Sequence, residues 1–170
     1  MELTGSKVRL RPITTDDVDT LTRLFGEPEV APRWPDYDRE RIEREYLNER
    51  GDDDTTAYVI EIDNEVAGLI QCYEEPDPEY RSASIDIAVS TKWHGTGVAV
   101  DALRTLARDL IERRGHHHLT IDPAADNARA IACYSKVGFR PVGVLRQNER
   151  GADGTFHDAL MMDMLADELR

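Results

Sequence analysis

Hydrophobic and polar positions along the chain change period several times, and each change predicts an element. Over residues 7–13, Val8, Leu10 and Pro12 alternate with Arg9 and Arg11, which predicts a strand. Thr14 with Asp17 three positions on has the form of a helix start, and Val18, Leu21, Leu24 and Phe25 follow at helical spacing. Pro28, Pro32 and Pro35 make 27–38 a loop. Residues 39–50 read as a short second helix, ended by Gly51 and the run Asp52, Asp53 and Asp54. Apolar runs over 57–62 and 66–73, parted by Asp63-Asn64-Glu65, predict a hairpin, and 82–90 another strand. The clearest helix covers 97–114, with Ala99, Leu103, Leu106, Ala107, Leu110 and Ile111 on one stripe. A strand over 117–122, a helix over 127–137 and two strands, 139–150 and 155–165, complete the chain. The order β-α-α-β-β-β-α-β-α-β-β implies an α/β protein. Its crossover helix makes strands 82–90 and 117–122 parallel.

Composition narrows the function classes. The 170 residues carry 34 acidic against 21 basic side chains, a formal charge of −13. Such a chain repels a phosphate backbone, and no Lys/Arg block offsets this, so nucleic acid is an unfavoured partner and a cation a favoured one. No apolar stretch approaches the roughly 20 residues of a membrane helix, and the start has no signal-type apolar core. Cys72 and Cys133 read as reduced thiols. The expectation is one domain, residues 1–170, in the cytoplasm and away from membranes. Oligomeric state is open.

Two segments carry candidate chemistry. His94-Gly95-Thr96-Gly97-Val98-Ala99 lies between a strand and the long helix, where glycines leave backbone N–H groups free at a positive helix end. That arrangement suits a pyrophosphate. It is neither a Walker A loop nor G-x-G-x-x-G, since no Gly-Lys-Ser/Thr follows and Val100 replaces the third glycine. The second segment runs from Asp122-Pro123 through Asn127-Ala128-Arg129-Ala130-Ile131 to Tyr134 and Gly138-Phe139. By itself it is a helix capped by Asn127, with Tyr134 packed inward and Gly138 as its stop. Within strand 82–90, Ser84, Asp86 and Ala88 share a small, polar face. Asp is disfavoured mid-strand, so Asp86 calls for a reason. Asp122 ends its own strand opposite Leu119 and Ile121, and both carboxylates can open into one cleft at the strands' carboxyl ends.

These two segments together resemble the GNAT (GCN5-related) N-acetyltransferases over essentially the whole chain. The resemblance implies a mixed sheet of about seven strands flanked by about four helices, with acetyl-CoA as cosubstrate. It places acetyl-CoA on Ala88 and Val89, on His94, Gly95, Thr96, Gly97, Val98 and Ala99, and on Asn127, Ala130, Tyr134 and Lys136. His94 stands where the family usually has Gln or Arg. Direct attack of an amine on the thioester is implied. A backbone N–H near Val89 would hold the oxyanion, Tyr134 would protonate the thiolate, and Asp86, Asp122 or a water chain would act as base.

Gln71-Cys72-Tyr73, Ile85-Asp86, Asp122-Pro123 and Arg129-Ala130-Ile131 with Cys133-Tyr134 are more specifically similar to the aminoglycoside 6′-N-acetyltransferases. That resemblance implies substrate contacts at Trp34, Gln71, Tyr73, Asp86 and Asp122. Asp158 on the last strand is a further acceptor-side candidate. Acid clusters at 52–54, Glu74-Glu75 and Asp77/Glu79 are expected near the cleft, where a polycation would gain from them. The alternative acceptor is a ribosomal-protein N-terminus or another protein or polyamine amine. A non-catalytic acetyl-CoA sensor would need neither Tyr134 nor Asp86. His116, His117 and His118 alternate in direction on a strand and make a poor chelate, so no metal is expected.

Overall fold

The computed structural model describes residues 1–47 and 54–170. Alternation produces the strands where it was expected, with one addition at the start. The strands are β1 (Leu3–Thr4), β2 (Arg9–Pro12), β3 (Thr55–Ile62), β4 (Glu65–Glu74), β5 (Ala83–Val89), β6 (His118–Ile121), β7 (Arg140–Arg150) and β8 (Phe156–Leu165). They form one mixed sheet in the order β1-β2-β3-β4-β5-β6-β8-β7, eight strands where about seven were expected. The extra one, β1, is too short to show a period. The helices are α1 (Val18–Phe25), α2 (Arg39–Tyr46), α3 (Val98–Arg108) and α4 (Ala128–Val137). The expected end of the second helix, near Gly51, lies outside the described residues.

Alternate residues of each strand feed two cores. Tyr58, Ile60, Ile70, Ile85 and Val89 pack with α3 and α4, whereas Val59, Leu69 and Ala88 pack with α1 and α2. The sheet is therefore the middle of three layers. The β3–β4 hairpin turns at Asp63 and Asn64, with φ of 49° and 65°, the left-handed pair that matches the twist of a two-residue hairpin. Arg11 ties β2 to α1 by donating to both oxygens of Asp17 (2.7 and 2.8 Å) and, through Nε, to Glu61 (2.6 Å).

Long-helix periodicity suggested α-helix throughout 97–114. Instead α3 ends at Arg108, and Asp109–Arg113 form a π turn. The extra residue per turn lets Asp109 accept from Arg113 and Arg114, while Arg114 also reaches the Tyr58 hydroxyl at 2.8 Å and pairs with Glu74.

Among the described residues one strand pair is parallel, and it is short. β5 and β6 meet at Ala83–Leu119 and Ser84–Thr120, after which β5 runs on for five residues beside an open gap. Its other edge stays paired to β4 as far as Gly68–Val89. Gly68 is required there, because a Cβ would lie 2.3 Å from the Ala88 carbonyl oxygen.

Candidate active site

The gap between β5 and β6 opens into a cavity of about 630 Å³. Asp86 sits on the α1/α2 face of the sheet beside Gln71, and Tyr134 packs in the core of the other face. Both line the cavity, which therefore passes through the sheet where the strands part.

Strand geometry prepares the end of β5. The Ser90 N–H donates to Ala67 at 2.9 Å. By antiparallel alternation Val89, one residue back, turns its N–H and C=O away from β4 and into the gap. Its carbonyl accepts from Nε2 of His94 at 2.9 Å, while Nδ1 of His94 accepts from Arg129 at 2.8 Å. The Val89 N–H is left facing the gap.

His94 also shapes the turn before α3. Gly95 and Gly97 adopt φ of 76° and 87°, conformations that side chains resist, and both line the cavity ahead of the helix N-terminus. Ala99, Asn127, Ala130 and Lys136 line the same wall, and Asn127 caps α4 by accepting from Ala130 N–H at 3.2 Å. Thr96 and Val98 belong to the turn without lining the cavity; Thr96 folds its hydroxyl back onto the Trp93 carbonyl at 2.7 Å. Glu27 fixes the turn to the segment after α1 by accepting from the Ser90 hydroxyl and from Thr91 N–H and Oγ1, each at 2.7 Å.

Three carboxylates converge on the opposite side. Asp86 is exposed to the cavity, but the protein packed around the cavity strips water from its carboxylate and in that sense buries it. This burial raises its pKa, and the nearby Asp122 adds to the rise, against a hydrogen bond from Gln71 Nε2 at 3.3 Å. Burial likewise raises Asp122, against a hydrogen bond from Asn148 at 3.1 Å. Glu149 is raised by burial and then by Asp122 and Asp86. Tyr134, 8% exposed, is held protonated well above the usual tyrosine value, chiefly by burial. Trp34 and Tyr37 add an aromatic wall, their rings 5.0 Å apart, and Ala88 and Val89 form the floor.

Glu149 was missed by sequence reasoning. It is aimed by a bulge in β7, where the register against β8 shifts between Leu145 and Glu149 and Gln147 takes φ of 51°. Asp158 holds that bulge by accepting from Gln147 N–H at 2.8 Å, so it stands outside the cavity it was expected to reach. Tyr73 also stands outside, two residues beyond Gln71 and opposite Ser84. Glu75, Asp77 and Glu79 do not line the cavity either. The β4–β5 connection that carries them leaves β5 at its start, and the cavity opens toward the strand's end. Asp52 and Asp53 lie outside the described residues. Trp93 was missed as well: it lines the cavity, and its indole Nε1 is buried with no partner among the described residues.

Known proteins share this architecture and parts of this sequence. The family described as Acetyltransferase (GNAT) domain matches residues 7–140. The spermidine N(1)-acetyltransferase of Escherichia coli (strain K12) is 29% identical over 161 residues, 91% of this chain and 84% of the relative. The aminoglycoside N(6′)-acetyltransferase type 1 of Klebsiella pneumoniae is 24% identical over 157 residues, 83% of this chain and 78% of the relative. The structure of a spermidine N-acetyltransferase from Vibrio cholerae in complex with CoA and spermine shares the fold, with a TM-score of 0.83 at 21% identity over 96% of this chain and 98% of that one.

Proposed function

Because the chain belongs to the GNAT acetyltransferase family, we propose that it transfers the acetyl group of acetyl-CoA directly to a primary amine of a small polycation. One observation carries this reading: Asp86, Asp122 and Glu149 share a cavity that also meets the turn at His94, Gly95 and Gly97. Burial disfavours the charge on each carboxylate, repulsion by Asp122 adds to it at Asp86 and Glu149, and a bound ammonium would relieve that cost. One carboxylate can then act as base while the others hold the remaining ammonium groups.

The turn and the start of α3 receive the pyrophosphate of the cosubstrate on backbone N–H groups. Asp86 takes a proton from the acceptor ammonium, and the freed nitrogen attacks the thioester carbon. The Val89 N–H stabilises the resulting oxyanion. The C–S bond then breaks, and Tyr134 gives its proton to the departing thiolate. The attacking nitrogen loses its extra proton to solvent to leave the neutral amide, Asp86 returns its proton to solvent, and Tyr134 recovers its own from solvent. The unpaired indole N–H of Trp93 is a donor that a bound ligand would satisfy.

Within this class, the 6′-amine of an aminoglycoside is the acceptor that the sequence motifs favour, and the Klebsiella relative supports it. The Escherichia coli relative supports a linear polyamine as second reading. Thiol release from acetyl-CoA should be measured with a kanamycin-type drug, its 6′-hydroxyl counterpart, spermidine and basic N-terminal peptides. Turnover with the drug and none with the hydroxyl counterpart is expected. Turnover with spermidine alone gives the second reading, and turnover with peptides alone would overturn the polycation assignment.

A further inference from the structure

Three side chains from three separate segments converge on the end of β5. Where β6 has parted from β5, the Val89 carbonyl has no strand partner on that side, and leaving it unpaired would be costly. Nε2 of His94 supplies the missing donor at 2.9 Å. Nδ1 of the same ring accepts from Nη1 of Arg129, on α4, at 2.8 Å. That Nη1 also donates to Oε2 of Glu29, in the segment after α1, at 3.0 Å.

Each link depends on the next. Arginine carries donors only and a carbonyl only accepts, so the ring keeps both bonds by accepting at Nδ1 and donating at Nε2. Oε2 of Glu29 lies 3.4 Å from Nδ1. Without the arginine, that carboxylate would draw the ring hydrogen to Nδ1 and leave two acceptors, Nε2 and the Val89 carbonyl, facing each other. The carbonyl and N–H of Val89 flank one Cα and point to the same side of the strand, so a bond on the carbonyl limits the swing of the N–H. The next residue is fixed from the other side, where Ser90 N–H donates to Ala67 and its hydroxyl to Glu27.

We propose that Arg129 is a positioning residue for acetyl transfer: seated by Glu29 and acting through His94, it keeps the Val89 N–H aimed at the oxyanion. The inference rests on the acetyl-transfer reading above, with Val89 as the oxyanion donor. The Arg129–Glu29 pair is exposed, its side chains 57% and 60% accessible, so it adds little to stability. Its effect lies in orientation, and belongs in kcat.

Steady-state kinetics with the amines named above, in the wild type, Arg129→Ala, His94→Leu, the double variant and His94→Gln, tests this. Loss of an oxyanion donor costs about 10²-fold to 10³-fold in kcat, and a misaimed one should cost about 10-fold. Arg129→Ala and His94→Leu should each show that smaller loss, with acceptor KM and CoA affinity changed by less than about twofold. Because Arg129 acts through His94, adding Arg129→Ala to His94→Leu should cost nothing further. A Gln amide can donate at Nε2 and accept at Oε1, so His94→Gln should recover most of the kcat lost in His94→Leu. Equal losses from Arg129→Ala in the two backgrounds would overturn the proposal. So would an unchanged kcat in Arg129→Ala, or a loss confined to KM or CoA affinity, which would make Arg129 a ligand contact. Arg129→Ala alters an exposed side chain, so its split between kcat and KM decides the outcome even if His94→Leu fails to fold. A wild type that releases no thiol with any amine would instead overturn the acetyl-transfer reading, and the proposal with it.

Discussion

Gln71 donates from Nε2 to Oδ2 of Asp86 at 3.3 Å, while its Oε1 accepts from the Tyr46 hydroxyl at 3.0 Å. One amide is thereby oriented from α2 so that its donor end faces the carboxylate, which favours the ionised form of Asp86. Tyr46→Phe removes the hydroxyl and frees the amide to turn its oxygen toward Asp86. The acidic limb of the pH profile of kcat/KM should then move to higher pH. A limb that stays in place would show that Tyr46 has no part in setting Asp86.

Asp86→Asn should lower kcat about 10²-fold to 10⁴-fold, the usual range for a lost general base. Its effect on stability has the opposite sign. The raised native pKa means that the folded chain binds more protons than the unfolded chain between the ordinary carboxylate value and the raised one. Stability therefore falls as pH rises through that window. The neutral Asn escapes that loss, so denaturation at pH 7 should find the variant at least as stable as the wild type. A variant that is less stable but fully active would contradict both assignments.

Tyr134→Phe keeps the ring that packs in the core and removes only the hydroxyl. Its kcat should fall by about 10²-fold or more, with CoA affinity by titration changed less than twofold. A parallel loss of affinity would make Tyr134 a binding residue and not the acid.

The Arg11 network sets the acid limit of the fold. Hydrogen bonds from Arg11 and Arg9 hold Glu61 below the ordinary carboxylate range. In Asp17 burial works the other way, but the bonds from Arg11 and Thr14 outweigh it. Both acids thus contribute stability that is complete above their unfolded pKa values and is lost as pH falls through roughly 4.5 and below. Arg11→Ala takes the guanidinium from buried Asp17 and leaves Glu61 with Arg9 alone, and it should cost about 3 kcal/mol at pH 7, with less dependence on pH below 5. Urea unfolding at pH 7 and pH 4 checks both statements.

Periodicity carried most of the strands and the helices, because each writes its period in side chains that lie in the same element. The features it did not carry depend on contacts between elements. Two-residue β1 has no period to read, and the π turn at Asp109–Arg113 adds one residue to a stripe that otherwise looks helical. Glu149 enters the cavity only because β7 bulges at Gln147, and Asp158 is spent holding that bulge. The polar run from Arg146 to Arg150, which breaks the alternation after the apolar residues Val142, Val144 and Leu145, was the available signal. Glu75, Asp77 and Glu79 were misplaced because charge shows which residues are polar, and connectivity decides which end of the sheet they reach.

The central claim is that the shared carboxylates select a polycation as acceptor. The most direct measurement is kcat/KM for spermidine, a kanamycin-type drug and a monoamine of similar length, in the wild type and in Glu149→Gln. In the wild type at least one polycation should exceed the monoamine by about 10²-fold. Removing one charge contact worth about 1.5–3 kcal/mol should cut that preference about 10-fold or more without changing turnover of the monoamine. A monoamine used as well as either polycation by the wild type would contradict the account.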